Sequence, residues 1–424
     1  MPVPSLNLDL DTKEVARIQT RTARWLMASQ MFSSGATSLG LSVSSILAAA
    51  ILGSSTWAGL PNSARVLGGA VFSLLLSNYM ARAGRRRGLA LGLVTGAVGA
   101  VLTVASAATS NFSLLLLGSF IFGAGYGASL LTRYAAADLA PASQRGKAIS
   151  LVVWGSTVGA VVGPNVLGVS GDWAEGLKLP ALAGPFGVSA IVFLASATLL
   201  FVTLRPDPLL LARRLALREL SAGADGRRPL AELLLRPGVP LALIALMTSQ
   251  MVMVAIMSMT PVYMRDHGHS LRVVGLVVSA HVLGMYALSP LTGWLCDRIG
   301  RIPLVLLSIG TFIFSSLLDG LAPAGSQTLL MFGLFLLGLG WNFGFVAGSA
   351  LLTDATDPAH RAQMQGFADM VMGLAAALGS LGSGLVLEMR GYPTLNAYGA
   401  SLVALPLVAL WLRRRSSHRF TPSS

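Results

Sequence analysis

Arg65 and His281 are ionisable side chains set deep inside apolar stretches of this 424-residue chain. Each lies roughly eight residues from the end of its stretch, about 12 Å at 1.5 Å per residue. A charge at the centre of a bilayer costs about 2.5–3.5 kcal/mol on insertion scales, so such residues are functional candidates by default. A guanidinium group there can hold a carboxylate or another acceptor-rich group. An imidazole titrates near neutral pH and can carry a coupling proton. The plainer alternative is that Arg65 snorkels to the interface and His281 is a satisfied packing residue. Gln30 and Gln250 form a second pair, and Gln30 shares one helical face with Ser34, Ser38, Ser42 and Ser45. Such a stripe either lines water or joins helices. Asp369 is either a protonation site or, the preferred reading, a partner for basic residues near the end of its helix. Met247, Met251, Met253, Met257 and Met259 offer an adaptable apolar surface.

Other chemistries find no support. There is no phosphate-cradling glycine loop with a lysine for direct ATP coupling. His267 and His269 share a short loop without further ligands, so no metal is expected. No nucleophile–base constellation suggests a hydrolase. The expectation is a protein that is not an enzyme and carries no cofactor.

The elements that must position these residues are membrane helices. Hydrophobic residues make up 54% of the chain and charged residues 11%, against about 25% charged in a soluble domain. Many apolar runs reach the roughly 18 residues needed to cross a hydrocarbon core about 30 Å thick. Twelve such runs can be read, among them 24–50, 57–82, 147–168, 273–296, 362–386 and 394–412. They divide the chain into an N-terminal segment (1–23), a six-helix bundle (24–204), a hydrophilic central loop (205–238), a second bundle (239–412) and a tail (413–424). The predicted fold class is an all-α membrane protein with two pseudo-symmetric six-helix bundles.

The net charge of +13 does not point to nucleic acid, because the basic residues cluster between apolar runs. With both termini cytoplasmic, the inside segments hold 25 Lys/Arg and the outside segments four. The positive-inside bias then predicts a multi-pass protein of the plasma (inner) membrane with both ends in the cytoplasm. The central loop reads as a solvated tether that could touch anionic lipid.

The chain also repeats itself. Leu26-Met27-Ala28-Ser29-Gln30-Met31 returns as Leu246-Met247-Thr248-Ser249-Gln250-Met251, and Ser63-Ala64-Arg65-Val66-Leu67-Gly68 as Ser279-Ala280-His281-Val282-Leu283-Gly284. The second pair is offset by 216 residues, and the same offset pairs Arg82, Gly84 and Arg85 with Arg298, Gly300 and Arg301. It also pairs Asp138 with Asp354, Arg145 with Arg361, and Gly163 with Gly379. Six helices shifted onto six others keep their orientation, so the halves should be related by an axis along the membrane normal with a site between them.

Gly293-Trp294-Leu295-Cys296-Asp297-Arg298-Ile299-Gly300-Arg301 resembles the G-x-L-x-D-R-x-G-R signature of the major facilitator superfamily, and with the repeat this likeness covers nearly the whole chain. The resemblance implies a cytoplasmic latch built from Gly293, Asp297, Arg298, Gly300 and Arg301, with Arg82, Gly84, Arg85, Asp138 and Asp354 as further members. After the second helix, Ala81 stands where the acid should be. In the fifth helix Gly155, Gly159, Gly163 and Pro164 resemble the G-x-x-x-G-x-x-x-G-P motif of drug:proton antiporters. Glycines four apart share a face and permit close helix approach, and the proline permits a bend. The arginine common in the fourth helix of that branch is replaced by Ser119, and the first helix carries no acid. Tyr126, Asn342 and Trp341 lie on helices that line the cavity in the family.

These readings predict a monomeric secondary transporter that moves a small organic solute by alternating access, with proton-coupled efflux of an amphipathic or drug-like compound preferred. The rival is uptake or exchange of an anionic metabolite, motivated by Arg65. A non-transporting sensor on the same fold is the remote alternative.

Overall fold

The computed structural model describes residues 12–53, 57, 59–219, 230–269, 271–323 and 326–418, and among these there is no strand. Its helices are α1 (Thr12–Leu52), α2 (Leu60–Ala83), α3 (Arg85–Thr109), α4 (Phe112–Ala137), α5 (Arg145–Asn165), α6 (Leu167–Gly176), α7 (Gly184–Thr203) and α8 (Pro208–Glu219). They continue with α9 (Leu230–Leu234), α10 (Val239–Asp266), α11 (Leu271–Tyr286), α12 (Ser289–Ile299), α13 (Arg301–Leu321), α14 (Gln327–Asp354), α15 (Arg361–Leu402) and α16 (Ala404–His418). Helices α1 to α7 form one bundle and α10 to α16 the other.

The pairing of helices repeats between bundles: α1 packs on α5 as α10 packs on α15, α3 on α4 as α13 on α14, and α2 on α4 as α11 on α14. The long spanning helices carry apolar residues on both their buried and their exposed faces, as expected where one face meets lipid and the other the bundle. In α3, Leu91, Val94, Val98 and Val101 are exposed at helical spacing, while Leu89, Leu93, Ala97 and Ala100 are buried.

Three departures from the sequence reading have physical causes. The first helix begins at Thr12 rather than near residue 24, so its polar first turns run on past the apolar span. The eighth span is two helices, α11 and α12. Pro290 has no N–H to continue the ladder, and the amide of Asn342 donates to the Met285 carbonyl (2.6 Å) and to Ser289 Oγ (2.6 Å) at the break. The eleventh and twelfth spans run together as one apolar stretch, Arg361–Trp411, bent at Gly391 (φ 78°). Among the described residues, eleven helices are long and apolar enough to cross a membrane, and the last of them is long enough for two crossings.

We call the end of the bundles where α3, α5, α13 and α15 begin the basic end. Here the bundles meet through two crossings, α2 with α15 and α12 with α5. A Cβ added to Gly366 would fall 1.8 Å from Ser77 Oγ, and one added to Gly293 would fall 2.0 Å from Ser150 Oγ. The 216-residue offset pairs Ser77 with Gly293 and Ser150 with Gly366. Each crossing therefore joins one glycine to one serine, with the roles exchanged between halves.

Candidate functional site

Tyr126 and Arg133 are seven residues apart on α4 and share a face. That face looks into the seam between the bundles. Arg133 is 2% exposed and ties the halves together: Nη2 meets Asp369 Oδ1 of α15 at 2.5 Å, and Nε donates to Ser349 Oγ of α14 at 3.0 Å. Its remaining donors reach the Leu130 carbonyl and Tyr134 Oη, and its guanidinium plane lies 4.2 Å from the rings of both Tyr134 and Phe345. A pair this deep is bound by hydrogen bonds as well as charge, and losing one partner leaves the other buried and unpaired. Asp369 Oδ2 has no partner.

Tyr126 is the hub of the seam. Arg65 of α2 lies over its ring, 4.9 Å from the centroid, and Asn62 Oδ1 accepts from Arg65 Nε (3.2 Å) and Nη2 (2.8 Å). Arg65 Nη1 is buried without a partner. Tyr126 is also an electrostatic neighbour of Arg133, Asp369 and, across the seam, Tyr286. Tyr286 meets Trp341 edge-on at 5.7 Å, and Trp341 stacks on Phe345 at 4.4 Å. Trp341 Nε1 donates to Gln250 Oε1 at 2.8 Å. An aromatic wall from the second bundle therefore faces a tyrosine and a guanidinium group from the first.

The structure does not bring every candidate to this seam. Gln30 turns into its own bundle, where Nε2 donates to Ser156 Oγ and Oε1 accepts from Ser129 and Thr132. It joins α1, α4 and α5, whereas its repeat partner Gln250 supports the aromatic wall. His281 packs against α14 with Nδ1 2.9 Å from the Leu334 carbonyl, and Nε2 has no partner. Asn342 holds the α11–α12 break. The glycines of α5 press against α1: a Cβ on Gly159 would lie 1.9 Å from Ser34 Oγ, one on Gly155 2.8 Å from the Met27 carbonyl, and one on Gly163 2.9 Å from the Gly35 carbonyl. Pro164 lies in the last turn of α5, and its side chain is outside the described residues.

At the basic end the paired charges form two clusters. Arg85 Nε meets Asp138 Oδ2 at 2.8 Å within the first bundle, and Arg301 Nε meets Asp354 Oδ2 at 2.9 Å within the second. Each aspartate also receives an arginine from the other bundle, Asp138 from Arg361 (4.0 Å) and Asp354 from Arg145. Asp297 accepts from the backbone N–H groups of Gly146 (3.0 Å) and Lys147 (2.8 Å), at the positive end of the α5 dipole. Arg82 and Arg298 sit exposed in the last turns of α2 and α12. Gly84 and Gly300 take φ of 86° and 97°, where the chain reverses into the next helix and a side chain would be strained.

The central segment is more than a tether. Asp207 caps α8 and accepts from the Arg86 N–H at 2.8 Å, beside Gly84. Arg213 of α8 then donates to the Ala81 carbonyl of one bundle (2.5 Å) and to the Pro358 (3.0 Å) and Ala359 (2.7 Å) carbonyls of the other. Sequence reasoning missed Arg133 and Arg213 because both fall in basic clusters that topology already explains. The signal for Arg133 was its position inside an apolar run, four residues from the end of α4.

Two bundles related by a repeat, closed on each other at a charged end and meeting at a polar, aromatic seam, define a membrane carrier. The model of the Major Facilitator Superfamily matches residues 26–275 and 242–424, and the chain belongs to that superfamily. It is 38% identical to the uncharacterized MFS-type transporter YddS of Bacillus subtilis, over 94% of this chain and 92% of the relative. It is 34% identical to the riboflavin transporter RfnT of Brucella anthropi, over 84% of this chain and 86% of the relative. Its fold matches the crystal structure of the human organic anion transporter MFSD10 with a TM-score of 0.71 at 17% identity, covering 92% of this chain and 98% of the other. The chain is a secondary transporter, not an enzyme.

Proposed function

We propose that the protein exports planar aromatic, amphipathic solutes in exchange for protons, with its basic end and both termini in the cytoplasm of a cell whose inner membrane it spans. The observation that carries the substrate class is Arg65, a buried guanidinium group with one unpartnered nitrogen, set on Tyr126, whose neighbour across the seam is Tyr286 of the Tyr286, Trp341 and Phe345 wall. A flat ring system can stack on that wall, while an acceptor-rich edge meets Arg65. The name of the relative RfnT supports a flavin-like ring, which has both features. A lipophilic cation fits less well, because Asp369 is already engaged by Arg133.

Proton coupling follows from the same pair. A proton on Asp369 would remove the charge that holds Arg133 and loosen the contact of α4 with α15. The basic end would then open while the site changes sides. Export is the preferred direction because of the glycine motif in α5. The second reading, uptake or exchange of an anionic metabolite, is favoured by the unpaired charge of Arg65. Both bundles of the site come from one chain, so a monomer in lipid suffices.

The test uses proteoliposomes loaded with riboflavin under an imposed pH gradient. With the cytoplasmic face toward the lumen and an acidic bath outside, proton entry should drive riboflavin out, and Arg65→Ala should cut the flux by about tenfold, the loss of one hydrogen bond to a charged group. Flux with the proton gradient rather than against it would establish the uptake reading. If neither riboflavin, its monophosphate nor ethidium moves, the substrate class is wrong.

A further inference from the structure

Between α13, α14 and α15, away from the seam, lies a buried acid that the transport scheme does not use. Asp319 is 1% exposed, two residues before the end of α13, and neither carboxyl oxygen has a partner. The carboxyl packs against Gly333 of α14, where a Cβ would fall 2.0 Å from Oδ1, 2.5 Å from Cγ and 2.8 Å from Oδ2. Glycine at this place is what makes room for the acid.

The neighbours are short of donors. Ser315 Oγ donates to the Gly333 carbonyl (2.7 Å), and Asn396 Nδ2 donates to the Tyr392 carbonyl (3.0 Å). Tyr392 Oη pairs with Thr260 Oγ1 at 2.9 Å, and Thr260 already gives its own proton to the Ile256 carbonyl. What is left is Asn396 Oδ1, which can only accept, and the Ser316 hydroxyl, which can donate or accept, both buried and unpartnered. Asn396 stands beside the same turn of α13, since a Cβ on Gly320 would lie 3.4 Å from its own. No donor reaches either oxygen of Asp319, and an ionised carboxylate so placed is costly. A carboxylic acid has a proton to offer to an acceptor. A metal cation would need several oxygens around open space, and the close packing of Gly333 removes that space on one side.

We infer that Asp319 is a proton-binding site inside the second bundle, separate from the seam and independent of which solute is carried. Tyr392 is the titratable side chain that faces it from α15, and α14 carries no ionisable residue except Asp354 at the basic end. Tyr392 also lines a pocket of about 600 Å³ at the end opposite the basic one, together with Tyr263, Asp266, His267 and Glu388. The Tyr392 and Tyr263 rings stack at 4.1 Å. Tyr392 therefore borders that pocket on one side and is an electrostatic neighbour of Asp319 on the other.

The experiment is infrared difference spectroscopy of the purified full chain in lipid nanodiscs, cycled between acidic and alkaline buffer in choline chloride. A carboxylic C=O band should appear on the acidic side, shift in deuterated buffer, disappear in Asp319→Asn and persist in Asp369→Asn. Asp319→Glu should move the band rather than abolish it, which covers the case where the asparagine variant does not fold. A band unchanged in both Asp319 variants overturns the proposal. So does a band lost when sodium replaces choline at constant pH, which would make this a metal-cation site.

Discussion

The two charge clusters at the basic end are copies of one design that have come to differ in how they are finished. Both join the start of a helix to the end of the next through an arginine and an aspartate, and both receive an arginine from across the seam. The Asp138 cluster is closed: the side chains of Arg85 and Asp138 are 0% exposed, and Gln365 of the other bundle accepts from Arg85. The Asp354 cluster is open to solvent, with its side chain 27% exposed, and leans on Asp297, which docks on the start of α5. In the closed cluster the counterpart of Asp297 is Ala81, and a further bond across the seam is made by Arg213 of the connecting helix. Symmetry fixed where the bundles must touch. The finishing contact was free to come from a motif residue on one side and from the connecting segment on the other.

The strongest way to break this comparison is to remove the aspartates. Asp138→Ala leaves Arg85 and Arg361 buried without a counter-charge, and breaking such a pair costs about 3–5 kcal/mol. Asp354→Ala removes contacts that water can replace, and about 1 kcal/mol or less is expected. Thermal unfolding of the purified variants in detergent should show a large drop for the first and a small one for the second. Equal drops would mean that burial does not separate the clusters.

A smaller effect is expected at the finishing contacts, and Cys296 reports on it. It is the single cysteine of the chain, fully buried, and a Cβ on Gly146 of the other bundle would lie 2.9 Å from its Cβ. Opening of the basic end must expose it. Hydrogen bonds to charged groups contribute about 1.5–3 kcal/mol, so Asp297→Ala and Arg213→Ala should each speed maleimide labelling of Cys296 by about tenfold or more. If Arg213→Ala labels at the wild-type rate, the connecting helix is a tether after all.

How far these contacts were legible in sequence depended on whether one residue or two had to be read. The repeat exposed Arg85, Asp138, Arg301 and Asp354, because each cluster appears twice at one spacing. The crossings were legible from apolar runs divided by charges and turn residues, which separate the last two where apolar length alone would join them. The break between α11 and α12 was not, since it depends on Asn342, distant in sequence, arriving to satisfy the Met285 carbonyl. Gln30 and Gln250 looked alike and serve differently, because a glutamine's role is set by the partners that packing brings: hydroxyls from α4 and α5 for one, an indole for the other. Arg133 was masked by its surroundings. A basic residue near a helix end satisfies the topology rule whether it meets water or, as here, the carboxylate of Asp369.

The mildest test sharpens the comparison by restoring what one half lacks. Ala81→Asp places an acid at the position equivalent to Asp297, facing the start of α15 as Asp297 faces the start of α5. An anion at a helix N-terminus contributes about 0.3–1 kcal/mol, so Cys296 labelling should slow by roughly two- to fivefold. The gain should be greater in Arg213→Ala than in the wild type, because the new carboxylate and Arg213 serve the same crossing. Equal slowing in both backgrounds would show that the two contacts act independently, and that the connecting helix does not stand in for the missing acid.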